Sequence, residues 1–303
     1  MSYAYRLAAL KLASDFDLPG LLPWNGLADA RADIVIRLGQ TPARLEAADH
    51  VAPVFQTQGN RYLLLLPGTG RMLVREGCEV TVEPEPGADP TAIRAILTGP
   101  IQAVLWHQRG LLPLCGNAIV IDGQAIALVG PSASGKSTLA ASLSMKGYMP
   151  MADGLCVIDT SDDRPAAILP GMPHLQLWRD ALDRLGVAAD GLTRILATKE
   201  KFLVERRGGF VDAPQPLAAV VVLWRRVGGA LGIERLRGLA AVAALRDNVH
   251  LERPARALGR NTAIFAALTR LVAAGVTVWR LKLPDDLSCM DAAAAELLTV
   301  LRA

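Results

Sequence analysis

The chain has 303 residues, 51% of them hydrophobic and 20% charged, with 32 Lys and Arg against 29 Asp and Glu for a net charge of +3. This balance excludes a disordered chain, and the small net charge gives no reason to expect a nucleic-acid partner; the length allows one large domain or two smaller ones. No apolar run approaches the ~20 residues of a membrane helix. Lys11, Asp15 and Asp17 interrupt what would be the apolar part of a signal, and Cys78, Cys115, Cys156 and Cys289 lie far apart. The expectation is a cytoplasmic protein with reduced thiols, no membrane or nucleic-acid partner and no zinc site; homo-oligomerisation stays open.

Short apolar runs at 34–38, 61–66, 72–74 and 79–82, separated by Gly, Pro and Asn, predict a small β-rich module over residues 1–90. Residues 83–90 contain three prolines and a glycine and read as its irregular boundary. Residues 92–108 then read as a helical connection broken at Gly99-Pro100, at the start of a second domain spanning 91–303.

Residues 117–121 and 124–129 flank Asp122-Gly123, the sequence of a tight hairpin, because Asp-Gly supplies the positive φ angles of a type I′ turn. The second strand runs into Gly130-Pro131-Ser132-Ala133-Ser134-Gly135-Lys136-Ser137-Thr138, which satisfies the phosphate-loop pattern G-x-x-x-x-G-K-[ST]. At ordinary residue frequencies the pattern arises by chance in about one chain in a hundred of this length. Residues 139–146 predict the helix after it, so strand, glycine loop and helix N-terminus follow in order and aim the helix dipole at a phosphate. The loop's backbone N–H groups and Lys136 suit the phosphates of ATP, and the Ser137 hydroxyl suits Mg²⁺.

Beyond the loop helix, Asp153 stands at the end of a short strand, where a carboxylate can hold Mg²⁺ through water or take a proton from an attacking hydroxyl. A turn or N-cap aspartate is the bland alternative. Residues 155–159 read as a strand, 161–165 as a turn, 175–185 as a helix with Trp178 packed, and 217–224 as a buried strand. Helices at 261–274 and 291–302 flank a strand at 276–283. Lys199, Lys201, Arg206 and Arg207, with Glu200 and Glu205, form a candidate lid or acceptor-binding element, weighed against a solvated loop. Eight arginines between 224 and 260 suit an acidic peptide or a partner subunit, although ordinary surface helices explain them as well.

Residues 111–120, the hairpin, the loop, then Gly147-Tyr148 and Met151-Ala152-Asp153, resemble the catalytic core of the HPr kinase/phosphorylase family. More narrowly, 93–159 and Leu175-Gln176-Leu177-Trp178 resemble the HPr-kinase-like proteins of lasso-peptide biosynthesis. The resemblance implies an α/β fold similar to the nucleotide domain of phosphoenolpyruvate carboxykinase. It also implies ATP- and Mg²⁺-dependent transfer to a serine of a peptide or small protein, in the lasso branch the terminal serine of a precursor. Asp153 and Lys136 then become catalytic residues, and Ser137 and Asp153 the metal ligands. Two positions depart from the family pattern: Cys115 stands where it has a histidine, and Gly154 follows Asp153 where it has a second aspartate. His174 could supply the missing imidazole from elsewhere, but a core or surface histidine is the favoured reading, and His250, among the arginines, supports no stronger claim. A nucleotide-binding adaptor without transfer chemistry, or a small-molecule phosphotransferase, are the alternatives.

Overall fold

The computed structural model describes residues 3–161, 164–184, 186–195, 200–205, 209–285 and 287–302. They are mixed α and β with several sheets, and they divide into two compact units: Met1–Leu112 with Leu251–Ile264, and Pro113–His250 with Phe265–Ala303.

The first unit is built on a nine-stranded sheet. Its order is Leu22–Pro23, Tyr3–Leu7, Leu10–Ser14, Ile34–Leu38, Glu79–Pro84, Gly70–Arg75, Arg61–Leu66, Phe55–Gln58 and His50–Val51. Residues 62–66 are apolar without a break because both faces of the strand are covered. Tyr62 and Leu64 share a face with Val74, Met72, Val80 and Val82, whereas Leu63 and Leu73 point the other way and meet Leu45. The last strand extends through Pro84, so the Pro-rich boundary is shorter than its composition predicts.

Asp89 then caps a helix, its side chain accepting from the Thr91 N–H at 2.8 Å, with Pro90 at the first position where its missing donor costs nothing. Gly99 and Pro100 do not break the segment as expected. Helix Pro90–Ile96 passes through a π turn, Leu97–Ile101, into helix Gln102–Gln108, the wider turn accommodating the proline ring. Every residue of Gln102–Gln108 is buried, and its polar end is satisfied: the Gln108 amide donates to the Asn60 and Val74 carbonyls and accepts from the Gly77 N–H.

At Gly70 the φ of 129° and the closeness of the neighbouring strand leave no room for a side chain; an added Cβ would collide with the Glu83 carbonyl oxygen and lie 2.8 Å from Pro84 Cα. Gly70→Ala is therefore expected to lower the denaturation free energy by about 3 kcal/mol, read as a shift in urea midpoint at unchanged slope.

In the second unit the Asp-Gly hairpin forms as read. Asp122 and Gly123 take φ of 49° and 78°, and Leu112–Ile121 pairs antiparallel with Gln124–Val129. The other edge of Gln124–Val129 pairs parallel with Gln215–Arg225, which pairs parallel with Thr277–Leu283; Gly232–Leu236 closes that side antiparallel. Leu155–Asp159 and Ala167–Leu169 link Leu112–Ile121 back to Gln215–Arg225, so five strands form a closed circuit of neighbours. Covering helices bury the parallel strands: Leu139 and Leu143 of Lys136–Met145, Ala293 and Leu297 of Met290–Arg302, and Val221, Leu223 and Leu281 share one core.

Residues 175–185 are not the expected single helix. His174–Trp178 is a strand pairing antiparallel with Lys201–Glu205, and only Arg179–Arg184 is helical. The alternation explains it: Leu175 and Leu177 are buried, Gln176 is half-buried between them, and Trp178 is 37% exposed instead of packed. Asp162 and Asp163 of the predicted turn lie outside the described residues. No described helix is long and apolar enough to cross a membrane, and none of the four cysteines is in a disulfide.

Candidate functional site at the glycine loop

Strand Gln124–Val129 ends in Gly130, whose φ of 153° and tight surroundings require glycine: a Cβ would lie 2.8 Å from Ser134 Oγ and 2.9 Å from the Leu223 carbonyl oxygen. Ala133 and Gly135 also take positive φ, 64° and 98°; at Ala133 this is strain that the sequence does not announce. Arg225 braces the turn by donating from Nη1 to the Ala133 carbonyl at 3.1 Å, and is itself held by Asp285 at 3.0 Å. Helix Lys136–Met145 starts with no side-chain cap, so its first-turn N–H groups and the positive end of its dipole remain available to an anion.

Lys136 folds back over the loop, donating from Nζ to the Gly130 carbonyl at 2.9 Å and the Pro131 carbonyl at 2.7 Å. Burial lowers its pKa, and the nearby Lys201 ammonium lowers it further, against the pull of Cys115 and Asp153. Behind it, Ser137 Oγ donates to Asp153 Oδ1 at 3.0 Å and accepts from Asn117 Nδ2 at 3.2 Å. Asp153 Oδ2 accepts the Gln176 backbone N–H. Desolvation pushes the Asp153 carboxyl above its ordinary range, partly offset by that N–H, the Lys201 charge and the Ser137 hydroxyl. Lys201 in turn donates from Nζ to Gln176 Oε1 at 3.0 Å.

These groups surround a pocket of about 260 Å³. Gly130, Pro131, Ser132, Ala133, Gly135, Lys136 and Ser137 line it, with Cys115, Asn117, Gly154, Trp178, Lys201, Asp247 and Asn248. The remaining loop residues lie beneath: Ser134 is 2% exposed with its Oγ unpartnered, and Thr138 is buried in the helix. Asp153 sits behind Ser137, only 5% exposed, while Gly154 reaches the wall. A Cβ at Gly154 would meet nothing closer than the Gln176 side chain at 3.6 Å, so its φ of 79°, not lack of space, is what disfavours a second aspartate there.

Ser137 Oγ and Asp153 Oδ1 are hard oxygen donors, and the neighbouring Asn117 Oδ1 is fully buried without a partner, so the donor set fits Mg²⁺ held with water and phosphate oxygens. Among the described residues no group of three or more His, Cys, Asp or Glu could hold a metal.

Among the site's side chains that no sequence signal marks is His250. A bridge between Leu114 and Val249, with the Cys115 N–H on the Asn248 carbonyl at 2.8 Å and the His250 N–H on the Pro113 carbonyl at 2.9 Å, brings His250 beside Cys115. Cys115 Sγ lies 2.7 Å from His250 Nδ1. No spacing signal connects positions 135 residues apart. Lys201 lines the pocket, whereas Glu200 pairs with Arg179 and Arg194 at 3.7 and 3.4 Å. Lys199, Arg206 and Arg207 of that candidate element lie outside the described residues.

His174 is a buried residue, 5% exposed, with Nε2 unpartnered, in keeping with the core histidine expected of it and not with a substitute imidazole. Burial and the Lys201 charge depress its pKa to about 4 from 6.5. Folding therefore holds it neutral, and the unfolded chain binds the proton first as pH falls. Stability is intact above pH 6.5 and drops by about 3 kcal/mol as pH approaches 4. His174→Gln should remove that part of the acid sensitivity, measured as urea midpoints at pH 7 and 4.5 for both proteins.

No protein-family model matches the chain, and no curated protein does. Among solved structures, the HPr(Ser) kinase/phosphatase from Coxiella burnetii is similar at 10% identity and a TM-score of 0.32, covering 62% of this chain and 95% of that one.

Proposed function

We propose that the chain binds ATP with Mg²⁺ at the glycine loop and transfers the terminal phosphoryl group to a serine hydroxyl of a peptide or small protein, in the manner of the HPr kinases whose motifs it resembles. The acceptor best suited to that resemblance is the terminal serine of a lasso precursor. The observation that carries the reading is the Ser137–Asp153 hydrogen bond at the rear of a pocket whose wall is the loop and Lys136.

In this reading the loop amides and the helix N-terminus bind the phosphates, and Lys136 exchanges its two carbonyl partners for phosphate oxygens. Ser137 and Asp153 would hold Mg²⁺, which supplies charge neutralisation on the phosphates. Asp153, once its bond from Ser137 is released, would be the group that takes the acceptor's proton. Incubation with Mg²⁺, ATP and a peptide ending in serine should add one phosphoryl group to that peptide in a mass spectrum; no transfer to any serine-ending peptide tried would reject the reading.

A nucleotide-binding adaptor is the second reading, favoured by two observations. Both Asp153 oxygens are engaged by protein donors, and Gly154 offers no second carboxylate. It requires nucleotide to raise the melting temperature without any turnover.

A further inference from the structure

Cys115 lines the pocket, and no step above uses it. Its sulfur is 2.7 Å from His250 Nδ1 and feels the positive charge of Lys136. A thiol with an imidazole in contact, opening on a cavity beside a cation, is the arrangement that activates cysteine nucleophiles. Asn117, whose buried Oδ1 has no hydrogen-bond partner, lines the same cavity.

We propose that Cys115 is a covalent modification site for small electrophiles, hydrogen peroxide among them, with His250 as the group that accepts its proton. Burial raises the thiol pKa and lowers that of His250, so the pair rests neutral and the proton moves only as sulfur attacks. With hydrogen peroxide the S–H bond breaks as Nδ1 takes the proton. Sulfur then bonds to one peroxide oxygen, the O–O bond breaks, and the departing hydroxide recovers the proton from His250 as water. Sulfur loses two electrons to the peroxide and leaves as a sulfenic acid. The products stand in the space assigned above to phosphates, so modification and nucleotide exclude one another; this exclusion alone rests on the proposed function.

Cys78 is exposed and serves as the internal reference. The full chain is treated with dilute hydrogen peroxide, sulfenic acid is trapped with dimedone, and each cysteine is quantified by mass spectrometry over time. Cys115 should be modified faster than Cys78. His250→Asn retains a hydrogen-bonding side chain but cannot take the proton, and should slow Cys115 by about a hundredfold while leaving Cys78 unchanged. His250→Ala should do the same, with folding checked by melting temperature. Equal rates at Cys115 and Cys78, or a Cys115 rate indifferent to both His250 variants, would overturn the proposal. ATP should protect Cys115; modification that is His250-dependent but unprotected would count against the nucleotide reading and leave the modification site standing.

Discussion

Asp153→Asn is expected to lower phosphoryl transfer by about a thousandfold while ATP still raises the melting temperature. The substitution removes the base, but not the loop amides or Lys136 that hold the phosphates. An asparagine can keep the same partners, its carbonyl accepting from the Gln176 N–H and its amide facing Ser137 Oγ. Folding should not suffer. Because burial raises the Asp153 pKa, the wild-type carboxyl favours the fold fully only below its unfolded value of 3.8 and loses that advantage as pH rises through the folded value. At pH 7 the variant should therefore melt no lower than the wild type, with the comparison turning towards the wild type in acid. Retained transfer in a folded variant would remove Asp153 from the chemistry. A lowered melting temperature at pH 7 would instead give the carboxylate a structural role.

Lys136→Met is expected to weaken nucleotide binding by about a hundredfold, close to 3 kcal/mol, measured by titration calorimetry. Methionine retains much of the buried stem and deletes the charge. Lys136 also ties the Gly130 and Pro131 carbonyls together, so faster backbone amide exchange across the loop should accompany the lost affinity. Lys136→Arg is not a conservative control, because the planar fork cannot reproduce two bonds to carbonyls of adjacent residues from one nitrogen. Unchanged affinity in Lys136→Met would mean that the pocket does not receive phosphates.

Local elements were legible in proportion to how local their causes are. Asp122-Gly123 announces its turn because two adjacent residues supply both positive φ angles, and the glycine loop is legible because Gly130 has no alternative at that conformation. Elsewhere distant contacts decided the structure. Residues 175–178 carry apolar spacing that fits a turn of helix as well as a strand, and pairing with Lys201–Glu205 settles it. Pro100 reads as a break, yet burial of the flanking turns holds the segment together through a π turn.

From the sequence alone came the phosphate loop, its strand and helix, and the candidacy of Lys136, Ser137 and Asp153, since each depends on residue type at fixed short spacing. Only the tertiary structure decided that Asp153 lies behind Ser137 and not in the pocket wall, that His174 is a core residue, and that His250 meets Cys115. Those outcomes depend on which segments the sheet pairs and which faces it buries, and a short bridge between Leu114 and Val249 leaves no trace in the spacing of the residues it brings together.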